Sequence, residues 1–232
     1  MERITSPEFG RIAANNPLVI IPIGATESHG IHLPLGTDTF QAEYVANEID
    51  KRMDNVLVAP TLPYGNHSSL KNVPGTINVS FDPLRSFVAD VLFSFISHGI
   101  KRILLITGHA GTSHMAAVTE ACRDVVSEKN VKIMFVSDYM VAEENEEFRF
   151  EGDGHGGVIE TSRMLDIDSY IVKKERPAGK FVDASGLVLR DASSCIPEGI
   201  VGDTKKANAA LGRRINDHIA DELIRRIEEV LL

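Results

Sequence analysis

Apolar positions along this chain fall into two alternating rhythms, and the alternation predicts most of the architecture. Leu18 to Ile23 reads LVIIPI, a continuous run rich in β-branched residues and therefore a buried strand. Strands apolar on both sides belong in a parallel sheet with helices over each face. Residues Thr39 to Met53 then predict a helix, and Val56 to Ala59 a second, short strand. Next comes TLPYGNHSSLKNVPGT, a loop-like stretch punctuated by Pro, Gly, Asn and Ser. Loops of this length without regular structure are often functional.

Asp82 and Pro83 supply an N-cap and a first helical residue, followed by Leu84, Phe87, Val88, Val91, Leu92 and Phe95 at helical spacing, with Gly99 as the stop. Ile103 to Thr107 reads as another core strand, Thr112 to Lys129 as a helix, and Val131 to Ser137 as a further strand. From about Lys205, Leu211, Ile215, Ile219, Leu223, Ile227 and Leu231 recur every four residues, a stripe for the core or for a partner subunit. Between Tyr170 and Gly202 the pattern is irregular. The fold class is α/β, and Glu143, Glu144, Glu146 and Glu147 read as a solvated helix face.

Composition narrows the classes. A chain of 232 residues suits one α/β domain or at most two small ones. With 43% hydrophobic and 25% charged residues, wholesale disorder and fibrous architectures are excluded. Twenty-four basic against 33 acidic residues leave a net charge of −9, which argues against a nucleic-acid partner. Cys122 and Cys195 form no CxxC pair, so neither a disulfide framework nor a thiolate zinc site is indicated, and a reducing cytoplasm fits. The start, MERITSPEFG, has no basic-then-apolar leader, and no apolar run approaches the roughly 18 residues of a membrane span. The expectation is a cytoplasmic protein with no membrane anchor.

Candidate chemistry gathers where polar residues follow the strands. Directly after the first strand lies GATESHGIHLPLGTD, residues 24–38. Glu27 and His29 are two apart, so an extended segment points both to one side, and a Gly/Pro-rich bend can return Asp38 to the same place. The strand ending at Thr107 runs into Gly108-His109-Ala110-Gly111, and Asp153-Gly154-His155-Gly156-Gly157 precedes a helical pattern that carries Glu160. Open parallel sheets collect ligands at the strands' C-terminal ends, so three such turns can converge on one site. Carboxylate and imidazole donors without thiolate favour zinc, iron(II) or manganese.

The other histidines divide. His67 lies in the long loop, where structural and pocket-lining roles stand about even, and His32 fits either substrate contact or a supporting hydrogen bond. His98 reads as a helix C-terminal cap, His114 as a neighbour of the site, and His218 as structural. The glycine-rich turns at 108–112 and 154–157 can offer backbone amides to a phosphate or merely allow tight turns. Neither a Walker-type lysine nor a GxGxxG fingerprint occurs.

GATESHGIHLPLGTD, YGNHS, TGHAGTSH and DGHGGVIET resemble, in order and spacing, the motifs of the creatininase (creatinine amidohydrolase) family, across roughly residues 18–165. The resemblance implies a three-layer α/β/α fold over residues 1–232, a centre of two divalent cations (Fe2+, Zn2+ or Mn2+), hydrolysis of non-peptide or cyclic amides, and a homo-oligomer. Position by position it implies Glu27, His29, Asp38 and His109 as metal ligands, with Asp38 bridging. It makes His155 and Glu160 the catalytic pair, His155 carrying the proton and Glu160 facing the metals, while His32, Asn66, His67 and Gly111 are expected as substrate contacts. Gly111 stands where creatininases proper carry a further ligating glutamate. Within the family, the short glycine-rich form resembles the archaeal branch that removes formate from a formylamino-pyrimidine ribonucleotide in flavin and deazaflavin biosynthesis. The expected substrate is thus a small molecule, a phosphorylated pyrimidine ribonucleotide. Another short branch trims a peptide during redox-cofactor maturation, and creatinine-type cyclic amides are the remaining alternative.

Overall fold

A parallel sheet of β1 (Leu18–Ile23), β2 (Val56–Val58), β3 (Arg102–Thr107) and β4 (Lys132–Ser137) runs in the order β2-β1-β3-β4 in this computed structural model of residues 1–232. Its register pairs Ile20 with Val58 and Leu104, and Leu104 with Met134. All six residues of β1 are buried, as a run apolar on both sides requires. Alternation along the strands sorts them into two cores. Val19, Ile21, Ile23, Ile103 and Leu105 pack with α1 (Ser6–Ala14), α3 (Phe81–Ser97) and α4 (Thr112–Glu128). Leu18, Ile20, Leu104 and Ile106 pack with α2 (Thr37–Arg52), α5 (Asp138–Glu144), α6 (Val158–Ile167) and α7 (Ala209–Arg226). Three layers, α/β/α, result. Each fully buried aliphatic side chain contributes roughly 1.5–3 kcal/mol relative to exposure.

Several boundaries differ from the pattern for local reasons. Helix α3 begins at Phe81 with Ser80 as N-cap, so Asp82 and Pro83 occupy its second and third positions. Pro83 is tolerated there because the first four N–H groups of a helix have no intrahelical acceptor. The helix ends as expected, with His98 as C-cap and Gly99 at φ +90°. A short 3-10 turn at Thr204–Lys206 delays α7, whose N-cap is Asn208, with the side-chain oxygen accepting from the Leu211 N–H. Ile215, Ile219, Leu223, Ile227 and Leu231 of the apolar stripe are buried in the second core. The acidic run faces solvent in part, and Glu144 and Glu147 pair with Arg226 and Arg214. In the irregular stretch the sheet content is a two-residue ribbon, β5 (Ala178–Gly179) with β6 (Gly202–Asp203). No helix is long and apolar enough to cross a membrane.

Candidate metal centre

The first turn of α2 rests against the ends of β1 and β3, and two glycines permit that approach. A Cβ on Gly24 would lie 2.2 Å from Thr39 Oγ1 and 2.5 Å from its Cα, and one on Gly108 would lie 2.1 Å from the Asp38 carbonyl oxygen. No larger residue fits at either point without moving backbone. Asp38, in the first turn of α2, is thereby held over the C-terminal edge of the sheet, where β1 delivers Glu27 and His29 and β3 delivers His109.

Two carboxylate–imidazole groups meet there. His29 Nε2 lies 3.0 Å from Asp38 Oδ1 and 3.7 Å from Glu160 Oε2. His109 Nδ1 lies 2.7 Å from Glu27 Oε1 and 3.4 Å from Asp38 Oδ2, and His67 Nδ1 is 3.1 Å from Glu27 Oε2. Donor atoms of Glu27, His67 and His109 converge within 4.8 Å of one another, as do those of His29, Asp38 and Glu160, and of Glu27, His29 and His155. Asp38 faces both main groups, one oxygen to each.

These donors fit cations better than one another. His29 Nε2, both Asp38 oxygens, Glu27 Oε1 and both His67 ring nitrogens are buried without an aligned hydrogen-bond partner, although opposite charges lie within ion-pair reach. Buried polar atoms are seldom left so. For His29, His109 and His155 the far side of the ring is engaged, which fixes its orientation. His29 Nδ1 bonds the Glu27 carbonyl at 3.2 Å, His109 Nε2 the Asn66 carbonyl at 3.1 Å, and His155 Nε2 the Ser28 carbonyl at 2.6 Å. In the neutral form of each ring the bonded nitrogen is therefore the N–H donor, and the inward nitrogen offers the lone pair.

Electrostatics point the same way. Burial pushes the Glu27 carboxyl up, but the His109 and His155 rings outweigh it and hold the group well below the usual carboxylate range. Burial pulls His29 down, yet Asp38, aided by Glu160 and Glu27, raises it to about 10. Glu160, lifted mainly by burial against the attraction of His29, reaches about 8. His155 is lowered to about 4 by burial and then by His29. Without metal, then, a proton sits on His29 at neutral pH where a cation would sit. Metal binding requires neutral imidazole, so loading must expel that proton. His29 holds its proton up to a pH near 10, so affinity should climb as pH rises from 6 to 8, about ten-fold per pH unit for each displaced proton. Zinc titrations by calorimetry in buffers of different ionisation enthalpy check this, and a zinc affinity independent of pH would contradict it.

A cavity of about 250 Å³ opens over the centre, walled by Glu27, His67, His109, Gly111, Tyr139, His155 and Glu160, with Ser68, Ser69, Leu70, Ala110, Gly154 and Ile196. No lysine or arginine lines it. Of the expected substrate contacts, His67 and Gly111 are on the wall. His32 and Asn66 are not among its lining residues. His32 is fully buried and bonds Thr161 Oγ1 at 2.8 Å, because the bend after Ile31 turns its ring into α6. The Asn66 side chain is spent on the Val79 carbonyl at 2.7 Å and on the Ser113 hydroxyl, leaving its backbone carbonyl to steady His109. Glu160 accepts from the Gly156 N–H and turns its carboxylate to His29. His114 is buried and pushed down to about 3 by burial and by His109, so it is neutral; Nε2 bonds Thr107 Oγ1 at 3.1 Å. Tyr139, at the start of α5 beyond β4, was not expected on the wall; its position at the C-terminal edge of the sheet is the signal that marks it.

The profile of the creatininase family, described as creatinine amidohydrolase, matches residues 2–227. The mycofactocin precursor peptide peptidase of Mycobacterium ulcerans is 30% identical over 224 residues, covering 91% of this chain and 84% of that protein. Creatinine amidohydrolase of Pseudomonas putida is 30% identical over 183 residues, covering 72% and 70%. Among solved structures, "Creatininase Mn" superposes with a TM-score of 0.87 at 24% identity over 99% of this chain and 97% of that one. The three-layer fold is therefore that of creatininase, and the chain belongs to the creatininase family of amidohydrolases.

Proposed function

We propose that this protein is a metal-dependent hydrolase that cleaves an amide bond of a short peptide. The observation that carries the metal reading is the convergence of two carboxylate–imidazole groups on Asp38, with orphaned buried donors directed inward. Glu27, His67 and His109 would hold one divalent cation, His29, Asp38 and Glu160 a second, and zinc, iron(II) and manganese all suit such donors. Bound there, the cations would acidify water to near neutrality and polarise the amide carbonyl. His155 keeps Nε2 tied to the Ser28 carbonyl and turns Nδ1 toward the centre, 3.9 Å from Glu27 Oε1. With its pKa lowered to about 4 the ring is neutral at pH 7 and can take a proton at Nδ1 and pass it to the departing amine.

Three observations favour a peptide over the alternatives. Relatives that align along most of this chain are named peptide peptidases. At position 111 a Cβ would lie 2.5 Å from His109 Nε2, so the extra acidic side chain of creatininases proper has no room in this packing. The cavity wall lacks the cationic side chains with which a phosphorylated ribonucleotide is usually held. The test is a panel of short peptides, creatinine and the formylamino-pyrimidine ribonucleotide, each incubated with manganese- or zinc-loaded protein and followed by mass spectrometry. Peptide cleavage with the highest kcat/KM is expected. Faster turnover of creatinine, or of the formamide, would overturn the peptide assignment and leave the amidohydrolase centre standing.

A further inference from the structure

Below the centre, on the side away from the cavity, a polar network crosses the second core. Arg163 of α6 is fully buried, and every nitrogen of its guanidinium is engaged. Nη1 donates to Gln41 Oε1 at 2.6 Å, Nη2 to Asp138 Oδ2 at 2.7 Å and Nε to Asn216 Oδ1 at 2.9 Å. One side chain thus ties α6 to α2, α5 and α7. Gln41 Nε2 in turn approaches the Glu160 carbonyl at 3.4 Å, a long bond that closes the link between α2 and α6.

Spacing gives this network its bearing on the site. Gln41 lies three residues after Asp38 on α2, and Arg163 three residues after Glu160 on α6. Residues three apart share a helix face, so the Gln41–Arg163 bond lies one turn beneath the Asp38–Glu160 gap. We infer that Gln41 and Arg163 are positioning residues that hold Glu160 in place against Asp38, and so set the affinity of the cation position those carboxylates share with His29. The inference rests on the metal reading above.

The opposing account is that the network only holds helices together. A buried arginine paired with a buried aspartate has a large desolvation cost that its bonds must offset, so loss of either charge would disturb the fold at large. Gln41→Met avoids this: it removes two hydrogen bonds and leaves the Arg163–Asp138 pair intact. Arg163→Lys is the second variant, keeping a positive charge beside Asp138 while losing the planar fork.

Dissociation constants for zinc are measured by competition with a chromophoric chelator, with thermal unfolding of the metal-free proteins as the check on folding. Wild type should bind two equivalents. In Gln41→Met one equivalent should weaken by about ten- to a hundred-fold, the range for residues that support metal ligands, while the other stays within about two-fold. In a Glu160→Gln background the same substitution should change zinc affinity by less than about two-fold, because its effect passes through Glu160. Should Gln41→Met fail to fold, Arg163→Lys is read against the same expectations. Equal weakening of both equivalents, no weakening, or an undiminished loss in the Glu160→Gln background overturns the inference. Wild-type protein that binds no zinc overturns the metal reading and this inference together.

Discussion

Asp38→Ala is expected to weaken zinc binding at both cation positions together by more than about a hundred-fold, beyond the range caused by changes in residues that merely support ligands. The reason is geometric. Asp38 Oδ1 lies 3.0 Å from His29 Nε2 while Oδ2 lies 3.4 Å from His109 Nδ1, so one carboxylate belongs to both donor groups. Neither oxygen has an aligned hydrogen-bond partner in the protein, which leaves both free for cations. Glu27→Ala, in contrast, removes the partner of His67 and His109, and Glu160→Gln removes a donor beside His29. Each should weaken chiefly one equivalent. Metal content after equilibrium dialysis distinguishes the three variants. If Asp38→Ala lost a single equivalent and kept the other at full affinity, the carboxylate would not be shared.

His155→Ala should cut turnover by about a hundred- to ten-thousand-fold, the usual contribution of a positioned proton carrier, and leave both cations bound. His155 stands on the cavity wall, with Nε2 spent on the Ser28 carbonyl and Nδ1 facing inward. Burial and then His29 lower its pKa to about 4, so at pH 7 Nδ1 carries a lone pair and begins the cycle as a base. His155 also falls in a group with Glu27 and His29 whose donor atoms could hold an ion. Single-turnover rates combined with metal analysis separate the two roles. Zinc lost along with activity would make His155 a ligand, whereas activity lost with zinc retained makes it the proton carrier.

Much of the fold is legible because its signal is local. LVIIPI is apolar on both sides and becomes the fully buried β1, and the every-four stripe from Leu211 becomes the buried face of α7. Glu27, His29, Asp38 and His109 are legible too, because glycines 24 and 108 mark the turns at which strand ends meet α2. What escaped depends on contacts far apart in sequence. His32 and Asn66 share motifs with residues at the centre, yet spacing along a bend does not say which way a ring turns, and one faces Thr161 while the other faces Val79. Glu160 is legible as a residue of the centre, but that its carboxylate meets His29 depends on a contact between segments far apart in the chain. Ile196 comes from the stretch without periodicity and reaches the cavity by packing with Leu70 and Cys195. Gln41 and Arg163 carry no signal along the chain, because only the packing of α2 on α6 gives them a shared purpose.

Whether hydrolysis needs cations held by Asp38 and its neighbours is decided by stripping the metal and restoring it. Protein stripped of metal and shown to remain folded should cleave none of the peptides that the loaded protein cleaves. Activity should return in proportion to added manganese or zinc and level off at two equivalents. Cleavage that continues at an unchanged rate in metal-free protein would mean that hydrolysis needs no cation at this centre.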